Sequence, residues 1–522
     1  MVPLARQQQS NQLFSGVSAL RGAAMVTGST YVSYALGMLT SILVARSLGP
    51  DDFGRYSYVV WLAGLVVVLA NNGITTTAIR FVSESLGRGS DAASVQGWLR
   101  RRQLASMLLV AAGFLVFLPQ FQPTGWSEGL GLFAAATLVA GLCKAWFLFD
   151  VSIAKGHGHY GIEAGVAATM SLASAAGVVL LVAAGSGLES YVVLFAVVGA
   201  GHALAGWTLR RRAGLLSAAR PLEAGIEPRI RKHLWWTVLL VLAWALGNKS
   251  IETWLLNRTA GAAAVGYFAI AAALTRGGID LLSSGLGTVL MPMMAHAHGA
   301  GGQARVGEIT AVAVRCYVAL GLLLAGAGVL AAPQLVGLLY GQAYGDVVLP
   351  LQVMVLVGGL TVAEAAFGAL LSTTDNQRLR VGFVVLSLLV TASLAVVLVP
   401  RYGLGGAVVA HAASRLLVFA MTWIGITRLM ALRMPWRELA RLVAAALVAC
   451  LPAVVMIEFL PDRWGGLAAA VAYAVVYVIG TLALGAWRRD DAAVFAGVAA
   501  RFPRLSAAAG QWTTRLAGGR LT

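Results

Sequence analysis

Apolar stretches of about twenty residues recur along the whole chain, and they constrain its fold more than any other feature. About twenty helical residues cross the hydrocarbon core of a membrane, which is roughly 30 Å thick. The pattern predicts about fourteen such segments. They begin near residues 23, 53, 102, 129, 161, 190, 234, 264, 309, 347, 380, 404, 438 and 464. We therefore predict an all-α polytopic membrane protein with about 14 transmembrane helices.

The composition excludes an ordinary soluble domain. Hydrophobic residues make up 59% of the chain and charged residues only 11%, and the mean hydropathy is +0.80. Such a chain has too few polar residues to cover a surface that faces water. Residues 1–21 are polar and lack the apolar region of a secretory signal, so we expect the first helix to be retained.

An internal repeat with an offset of 212 positions is the second constraint. The segments SILVARSLGPDDFGRYSY (41–58) and TWLLNRTAGAAAVGYFA (253–269) share one register. The matched residues are Arg46 with Arg258, Gly49 with Gly261, Gly54 with Gly266, Tyr56 with Phe268, Gly87 with Gly299, and Gly89 with Gly301. One register held over a turn, a helix and the next loop predicts a duplicated fold. Because each half contains an even number of helices, the two halves should be parallel.

The predicted organisation follows from this repeat. It comprises a cytoplasmic N-terminus (1–22), a six-helix lobe (23–212), a basic cytoplasmic connector (213–232), a second six-helix lobe (233–430), two additional transmembrane helices (431–489) and a cytoplasmic tail (490–522). The last two helices have no counterpart in the first half.

The net charge of +17 would suggest a nucleic-acid partner in a soluble protein. Here the basic residues are distributed unevenly between alternate loops. With the N-terminus inside, about 27 of the 38 Lys and Arg fall in inside loops and tails and about 5 in outside loops. This asymmetry is typical of cytoplasmic loops, so both termini are predicted to be cytoplasmic and no nucleic-acid partner is expected.

Ionisable residues inside predicted helices are candidates for function, because each costs about 2.5–3.5 kcal/mol at the bilayer centre. Lys249 and Glu252 are three residues apart, and Arg276 and Asp280 are four apart, so each pair shares a helical face. Further intramembrane charges are Lys144, Asp150, Arg315, Glu364 and Arg415. They form either ion pairs that neutralise themselves, such as Lys144 with Asp150, or the lining of a wet cavity. Both alternatives stay open.

Two motifs carry a resemblance to a known family. ARSLGPDDFGRYSY after the first helix and PRYGLGGAVVAHAASR (400–415) late in the second half resemble the polysaccharide-export branch of the multidrug/oligosaccharidyl-lipid/polysaccharide exporter superfamily, which includes Wzx-type O-antigen flippases. The resemblance covers roughly residues 15–430. It implies two lobes around a central cavity, and the translocation of undecaprenyl-diphosphate-linked oligosaccharides of an O-antigen or exopolysaccharide across the bacterial inner membrane by alternating access.

Under this resemblance, helical cations would bind the diphosphate of the substrate through charge-assisted contacts. The candidates are Arg276, Lys249, Arg46, Arg80 and Arg258. For Arg46 and Arg258, helix capping and contact with lipid headgroups is an alternative role. The candidates for ion coupling or charge pairing are Asp280, Glu252, Glu364, Lys144, Asp150, Arg315 and Arg415. The membrane potential, or proton exchange through the carboxylates, would supply the energy.

Expected partners are the lipid-linked glycan, membrane lipid, and polysaccharide polymerase and export machinery, and we expect a monomer. The chain contains no DxD, HExxH, CxxC or phosphate-binding Gly-Lys-Ser/Thr motif, so we predict a transporter without a metal or other cofactor rather than an enzyme. Two alternatives remain. The two additional helices favour a lipid II flippase of peptidoglycan synthesis, whereas a multidrug/cation antiporter would need fewer helical cations than this chain has.

Overall fold

The computed structural model describes residues 16–126, 129–215, 221–222, 225–247, 250–373, 377–430, 432, 434–460 and 462–488. We number its α-helices α1 to α15 in chain order. They span Gly16–Asn71, Ile74–Gly87, Ala92–Val116, Leu130–Gly156, Gly161–Ala183, Leu188–Arg212, Ile226–Gly247, Ser250–Thr259, Ala262–Thr275, Leu281–Leu339, Val348–Thr361, Glu364–Thr373, Gln377–Leu429, Trp436–Phe459 and Asp462–Ala483. A π-helical turn, Arg276–Asp280, joins α9 to α10. These described residues contain no strand, and the predicted all-α fold is confirmed.

Ten helical segments of the described chain are long and apolar enough to cross a membrane, and α7 with α8, which meet at a 41° bend, would make an eleventh. Two of the ten, Gly28–Asn71 and Val381–Arg428, have 44 and 48 residues, which is enough for two crossings of about 20 residues each. Each is divided by a glycine with non-helical dihedral angles, Gly49 or Gly403. The protein is therefore a multi-pass membrane protein, and the count of about fourteen spans stays a prediction.

The turn glycines of the repeat both have positive φ angles. The φ angle is 75° at Gly49 and 89° at Gly261, a region that residues with a Cβ atom rarely enter. Pro50 then begins the second part of α1, where its fixed φ suits the first helical turn. In both copies of the repeat, a glycine with a positive φ angle thus separates the end of one helix from the start of the next.

The chain divides into two compact units. The first unit comprises Met1–Ala269 and Leu388–Ala410, and the second comprises Ile270–Ser387 and His411–Thr522. Within the first unit, buried side chains of α2, α3, α4 and α7 form a shared core. This core includes Ile74, Phe81, Leu99, Phe149 and Ile230. The lobe boundaries drawn from the sequence stay a prediction.

Within the second unit, α14 and α15 pack on the later part of α10. The hydroxyl of Tyr473 donates to the Leu322 carbonyl oxygen at 2.9 Å, and that of Tyr477 donates to the Ala319 carbonyl oxygen at 3.0 Å. Gly326 makes room for the Tyr473 ring, because a Cβ atom there would collide with it. The two helices that lie beyond the repeat are therefore attached to this unit by specific contacts as well as by apolar packing.

Candidate functional site

Charged and polar side chains of three helical stretches meet in the second unit. Arg415 of α13 donates from Nη2 to Asp280 Oδ1 at 3.2 Å and from Nε to Thr361 Oγ1 at 3.0 Å. Asp280 ends the π-helical turn, and Thr361 ends α11. The side chains of Arg415 and Asp280 are 24% and 32% exposed. Because both side chains are partly exposed, a ligand can compete with Asp280 for Arg415, and a cation can compete with Arg415 for Asp280.

Glu364 adds a second carboxylate to these residues. It begins α12 after a break of two residues that follows α11. Its side chain is exposed, and its carboxylate interacts electrostatically with both Arg415 and Asp280. When all three groups are ionised, one guanidinium faces two carboxylates, an arrangement that favours binding of a proton or a cation.

Arg276 lies one turn before Asp280, at the start of the π-helical turn. Of the two alternatives left open for Arg276 and Asp280, an ion pair within their own helix is not formed, because Asp280 contacts Arg415 of another helix instead. The Arg276 side chain is exposed and makes no hydrogen bond or ion pair within the part of the chain that the structure describes. Arg276 is therefore a cation available to a ligand. Its position agrees with the frequent occurrence of π-helical turns at functional sites. We call Arg276, Asp280, Thr361, Glu364 and Arg415 the second-unit charge cluster.

These residues lie deep along their helices. At 1.5 Å per residue, Arg276 is about 21 Å from the start of α9, Glu364 about 24 Å from the start of α11 and Arg415 about 18 Å from the kink at Gly403. A hydrocarbon core is about 30 Å thick. Arg276 and Arg415 therefore lie inside candidate membrane spans, where an ion needs a partner or water, whereas Glu364 lies three residues beyond the span Gln342–Thr361.

In the first unit, Asp150 of α4 pairs with Arg210 of α6 and not with Lys144. The distance from Arg210 Nε to Asp150 Oδ1 is 2.8 Å, and both side chains are buried. Arg210 Nη1 also donates to the Leu215 carbonyl oxygen at 3.1 Å. This buried pair ties the end of α4 to the end of α6, which is a structural role.

Lys144 lines a cavity of about 170 Å³ between the second part of α1, α4 and α6. Its ammonium lies 4.8 Å from the centroid of the Phe147 ring and makes no hydrogen bond or ion pair with any other described residue. His202 lines the same cavity, and its Nδ1 is 2.9 Å from the Val198 carbonyl oxygen. The remaining lining side chains are apolar, apart from the glycines.

The other predicted cations are exposed. Arg46 precedes the kink at Gly49, and Arg258 lies near the end of α8 with its guanidinium 5.6 Å from the centroid of the Trp254 ring. Arg80 Nη1 of α2 is 3.0 Å from His233 Nδ1 of α7. These three arginines lie on three different helices, α1, α8 and α2.

The remaining candidates are buried or lie outside the described residues. Lys249 is outside the described residues, so its predicted pairing with Glu252 stays a prediction. Glu252 is 0% exposed and Arg315 is 2% exposed. A fully buried side chain cannot reach a ligand without rearrangement, so neither residue lines an open site in this conformation.

Two residues of these networks escaped the sequence analysis. Arg210 is followed by Arg211 and Arg212 at the end of α6, and nothing in this basic run marks it as the partner of Asp150. Thr361 carries no charge and gave no signal beyond its position near the end of an apolar segment. Each of these two residues is far along the sequence from the residue that it contacts. The spacing of residues within a single helix does not reveal such contacts.

Comparison with known proteins agrees with this architecture. Residues 19–298 match the family described as "Polysaccharide biosynthesis protein". A structure of the lipid II flippase MurJ in an inward closed conformation superposes with a TM-score of 0.69 at 13% identity, covering 88% of this chain and 98% of that chain. An inward-facing multidrug resistance MATE family transporter of the MOP superfamily gives 0.60 at 16% identity, covering 76% and 95%. No curated protein matches the chain in sequence.

A third similar structure is a MOP superfamily transporter from Pyrococcus furiosus, described as having a binding pocket of reverse polarity. It gives a TM-score of 0.54 at 14% identity and covers 78% of this chain and 95% of that chain. The fifteen described helices thus share their fold with flippase and exporter structures. Since the family match extends over more than half of its residues, the chain belongs to the polysaccharide biosynthesis protein family.

Proposed function

We propose that this transporter moves an oligosaccharide linked to undecaprenyl diphosphate, the repeat unit of an exopolysaccharide or O-antigen, across the bacterial inner membrane by alternating access. The observation that carries the proposal is Arg276, an exposed cation without a counter-ion among the described residues, deep in a span and one turn from Asp280. An uncompensated intramembrane charge is costly unless it serves a ligand.

The chemistry of the substrate fits such a cation. The diphosphate is anionic and the glycan hydrophilic, so neither can cross hydrocarbon alone, whereas a polyprenyl chain can stay in lipid. Arginine binds phosphate oxygens through two parallel N–H bonds. Arg276 would bind the diphosphate first, and Arg415 would join when the substrate competes with Asp280. Arg46, Arg80, Lys249 and Arg258 would guide the headgroup at other stages.

The energy would come from charge movement. An inside-negative membrane potential drives negative charge outward, and each negative charge that crosses releases about 2.3 kcal/mol per 100 mV. Asp280 and Glu364 share Arg415, so a proton on one carboxylate would free Arg415 for the other carboxylate or for the diphosphate. Proton exchange at this pair is therefore part of the proposal.

The proposal includes topology and partners. The excess of Lys and Arg in alternate loops supports cytoplasmic termini in the inner membrane. The transporter would work as a monomer and hand its lipid-linked glycan to a polysaccharide polymerase and export machinery. Reporter fusions at each loop test the topology, because a reporter active only outside the cytoplasm marks the outer loops.

A lipid II flippase is the second candidate. The MurJ structure is covered over 98% of its length at a TM-score of 0.69, above the 0.60 of the MATE structure. The helices α14 and α15, which lie beyond the repeat, also suit this candidate. A multidrug/cation antiporter is less suited, because a cavity for cationic drugs would not present the arginine of the second-unit charge cluster.

Depletion of the protein in its native host, followed by analysis of lipid-linked intermediates, separates these candidates. The proposal expects viable cells that lose one surface polymer and accumulate its undecaprenyl-linked repeat on the cytoplasmic leaflet. Cell lysis with accumulation of lipid II would instead assign the protein as a lipid II flippase of peptidoglycan synthesis. Unchanged lipid pools would exclude transport of lipid-linked sugars.

A further inference from the structure

The cavity around Lys144 and His202 belongs to the first unit and shares no residue with the second-unit charge cluster, and the proposed transport steps do not use it. Lys144 is about 21 Å along α4 from Leu130, and His202 is about 21 Å along α6 from Leu188. Both side chains therefore reach the cavity from the middle of a span. An ammonium there with only an aromatic face beside it is poorly compensated, because a cation–π contact contributes about 0.5–2 kcal/mol, less than the cost of burying the charge.

Lys144 gives the cavity a donor group that can receive an anion. Lys144 offers three N–H donors and no acceptor. A carbonyl oxygen can only accept, so the short contact from His202 Nδ1 to Val198 places the ring proton on Nδ1. This leaves His202 Nε2 as the second polar atom of the cavity. It becomes a donor when the imidazole is protonated.

No carboxylate of the described residues lines the cavity. Its lining residues from α1 are Val60, Ala63, Gly64 and Val67, those from α4 are Ala140 and Lys144, and those from α6 are Phe195, Val198, Gly199 and His202. The nearest acidic group that acts on Lys144 is Glu163 of α5, which already forms an ion pair with Lys155 at 2.5 Å. The volume of about 170 Å³ accommodates an anion with a few waters.

We propose that the Lys144–His202 cavity of the first unit binds a small monovalent anion, of which chloride is the representative, and that this anion neutralises Lys144. The proposal does not depend on which substrate the transporter carries. The volume is too small for a diphosphate together with a sugar. Protonation of His202 would add a donor, so acidification should tighten anion binding, with Lys144 and Glu163 as the other titratable groups beside the site.

Halide-dependent thermal stability of the purified full-length protein tests this. In buffers of equal ionic strength, replacing gluconate by chloride or bromide should raise the Tm by a few degrees and saturate, because a ligand that binds only the folded state stabilises it. Lys144→Met should abolish the halide response and Lys144→Arg should retain it. Lys232→Met, which removes an exposed lysine of α7 outside the cavity, should leave it unchanged.

Lys144→Met has a second expected result, since it removes an uncompensated charge and packs an apolar chain. In halide-free buffer this variant should unfold at a higher temperature than the wild type. Crystals of the wild type grown in bromide should show anomalous scattering within hydrogen-bond distance of Lys144 Nζ. This measurement tests anion binding even if the Lys144→Met variant does not accumulate. A halide response that is absent from the wild type, or equal in Lys144→Met, would overturn the proposal.

Discussion

Gly54 and Gly266, which occupy the same position in the two copies of the sequence repeat, pack against each other. A Cβ atom at Gly266 would lie 3.1 Å from the Gly54 Cα, and one at Gly54 would collide with the Ala262 carbonyl oxygen. Small residues allow such an approach in membranes, where close packing drives helix association. The duplicated motif therefore creates a contact between its own two copies within the first unit.

Gly54→Val should be strongly destabilising, because its side chain has no space against the backbone of α9. Overpacking of this kind costs about 1–3 kcal/mol or more, and we expect a lower Tm and less monodisperse protein in size-exclusion chromatography. Gly37→Ala in the same helix is the control, since nothing lies within 4 Å of a Cβ atom there. Equal behaviour of the two variants would contradict the contact.

The buried pair of Asp150 and Arg210 predicts an asymmetric mutational response. Asp150→Asn leaves Arg210 uncompensated and should cost about 3–5 kcal/mol of unfolding free energy. The double variant Asp150→Leu/Arg210→Met removes both charges and should recover most of the loss. Arg211→Met is the control, because Arg211 is the adjacent arginine but is exposed. A double variant as unstable as Asp150→Asn would argue against a simple charge pair.

Transport should depend on Arg276 more than on the general positive charge of the protein. Arg276→Gln removes charge-assisted bonds worth about 1.5–3 kcal/mol, so uptake of a lipid-linked oligosaccharide in proteoliposomes should fall about 10- to 100-fold. Arg276→Lys should recover part of it, since lysine keeps the charge but lacks the bidentate geometry. Arg401→Gln, an exposed arginine near the kink at Gly403, should transport normally.

Coupling is tested at the carboxylates of the same cluster. If Asp280 and Glu364 exchange a proton, Asp280→Asn or Glu364→Gln should make transport independent of a pH gradient while substrate binding persists. Transport by both variants that still follows the pH gradient would exclude proton exchange at this pair.

The attachment of α14 and α15 should depend on two tyrosine hydroxyls. Tyr473→Phe and Tyr477→Phe each lose a bond to a backbone carbonyl of α10, at about 0.5–1.5 kcal/mol apiece. Gly326→Val should cost more, because its side chain would displace the Tyr473 ring. Tyr402→Phe, whose side chain is 67% exposed, serves as the control. In thermal unfolding, the loss of stability should be largest for Gly326→Val, smaller for Tyr473→Phe and Tyr477→Phe, and smallest for Tyr402→Phe.

His157, at the end of α4, predicts a pH dependence of stability. Burial holds the pKa of His157 below its ordinary value, so the folded protein keeps this ring neutral while the unfolded chain protonates near pH 6.5. The unfolded state then binds more protons as the pH falls below about 6.5, and stability decreases. His157→Gln should flatten this decrease below about pH 6.5. An unchanged slope would assign the pH dependence to other groups.

Much of the fold could be predicted because hydropathy and glycine position act locally. A span needs only a sufficient run of apolar residues, and the turn at Gly49 or Gly261 needs only a residue without a Cβ atom. The candidate site was less predictable. Residue spacing placed Arg276 and Asp280 on one helical face, but it carried no information about Arg415, which lies 135 residues further along the chain and takes the Asp280 carboxylate.

The sequence by itself determined that the chain is an all-α membrane protein with a duplicated motif, because these properties follow from local composition and from a repeated register. Only the tertiary structure decided the surroundings of each charge within the spans. Asp150 pairs with Arg210, Asp280 pairs with Arg415, and Lys144 lies beside a cavity without a carboxylate. The physical reason is that an ion pair requires a separation of a few ångströms, and packing between helices sets that distance.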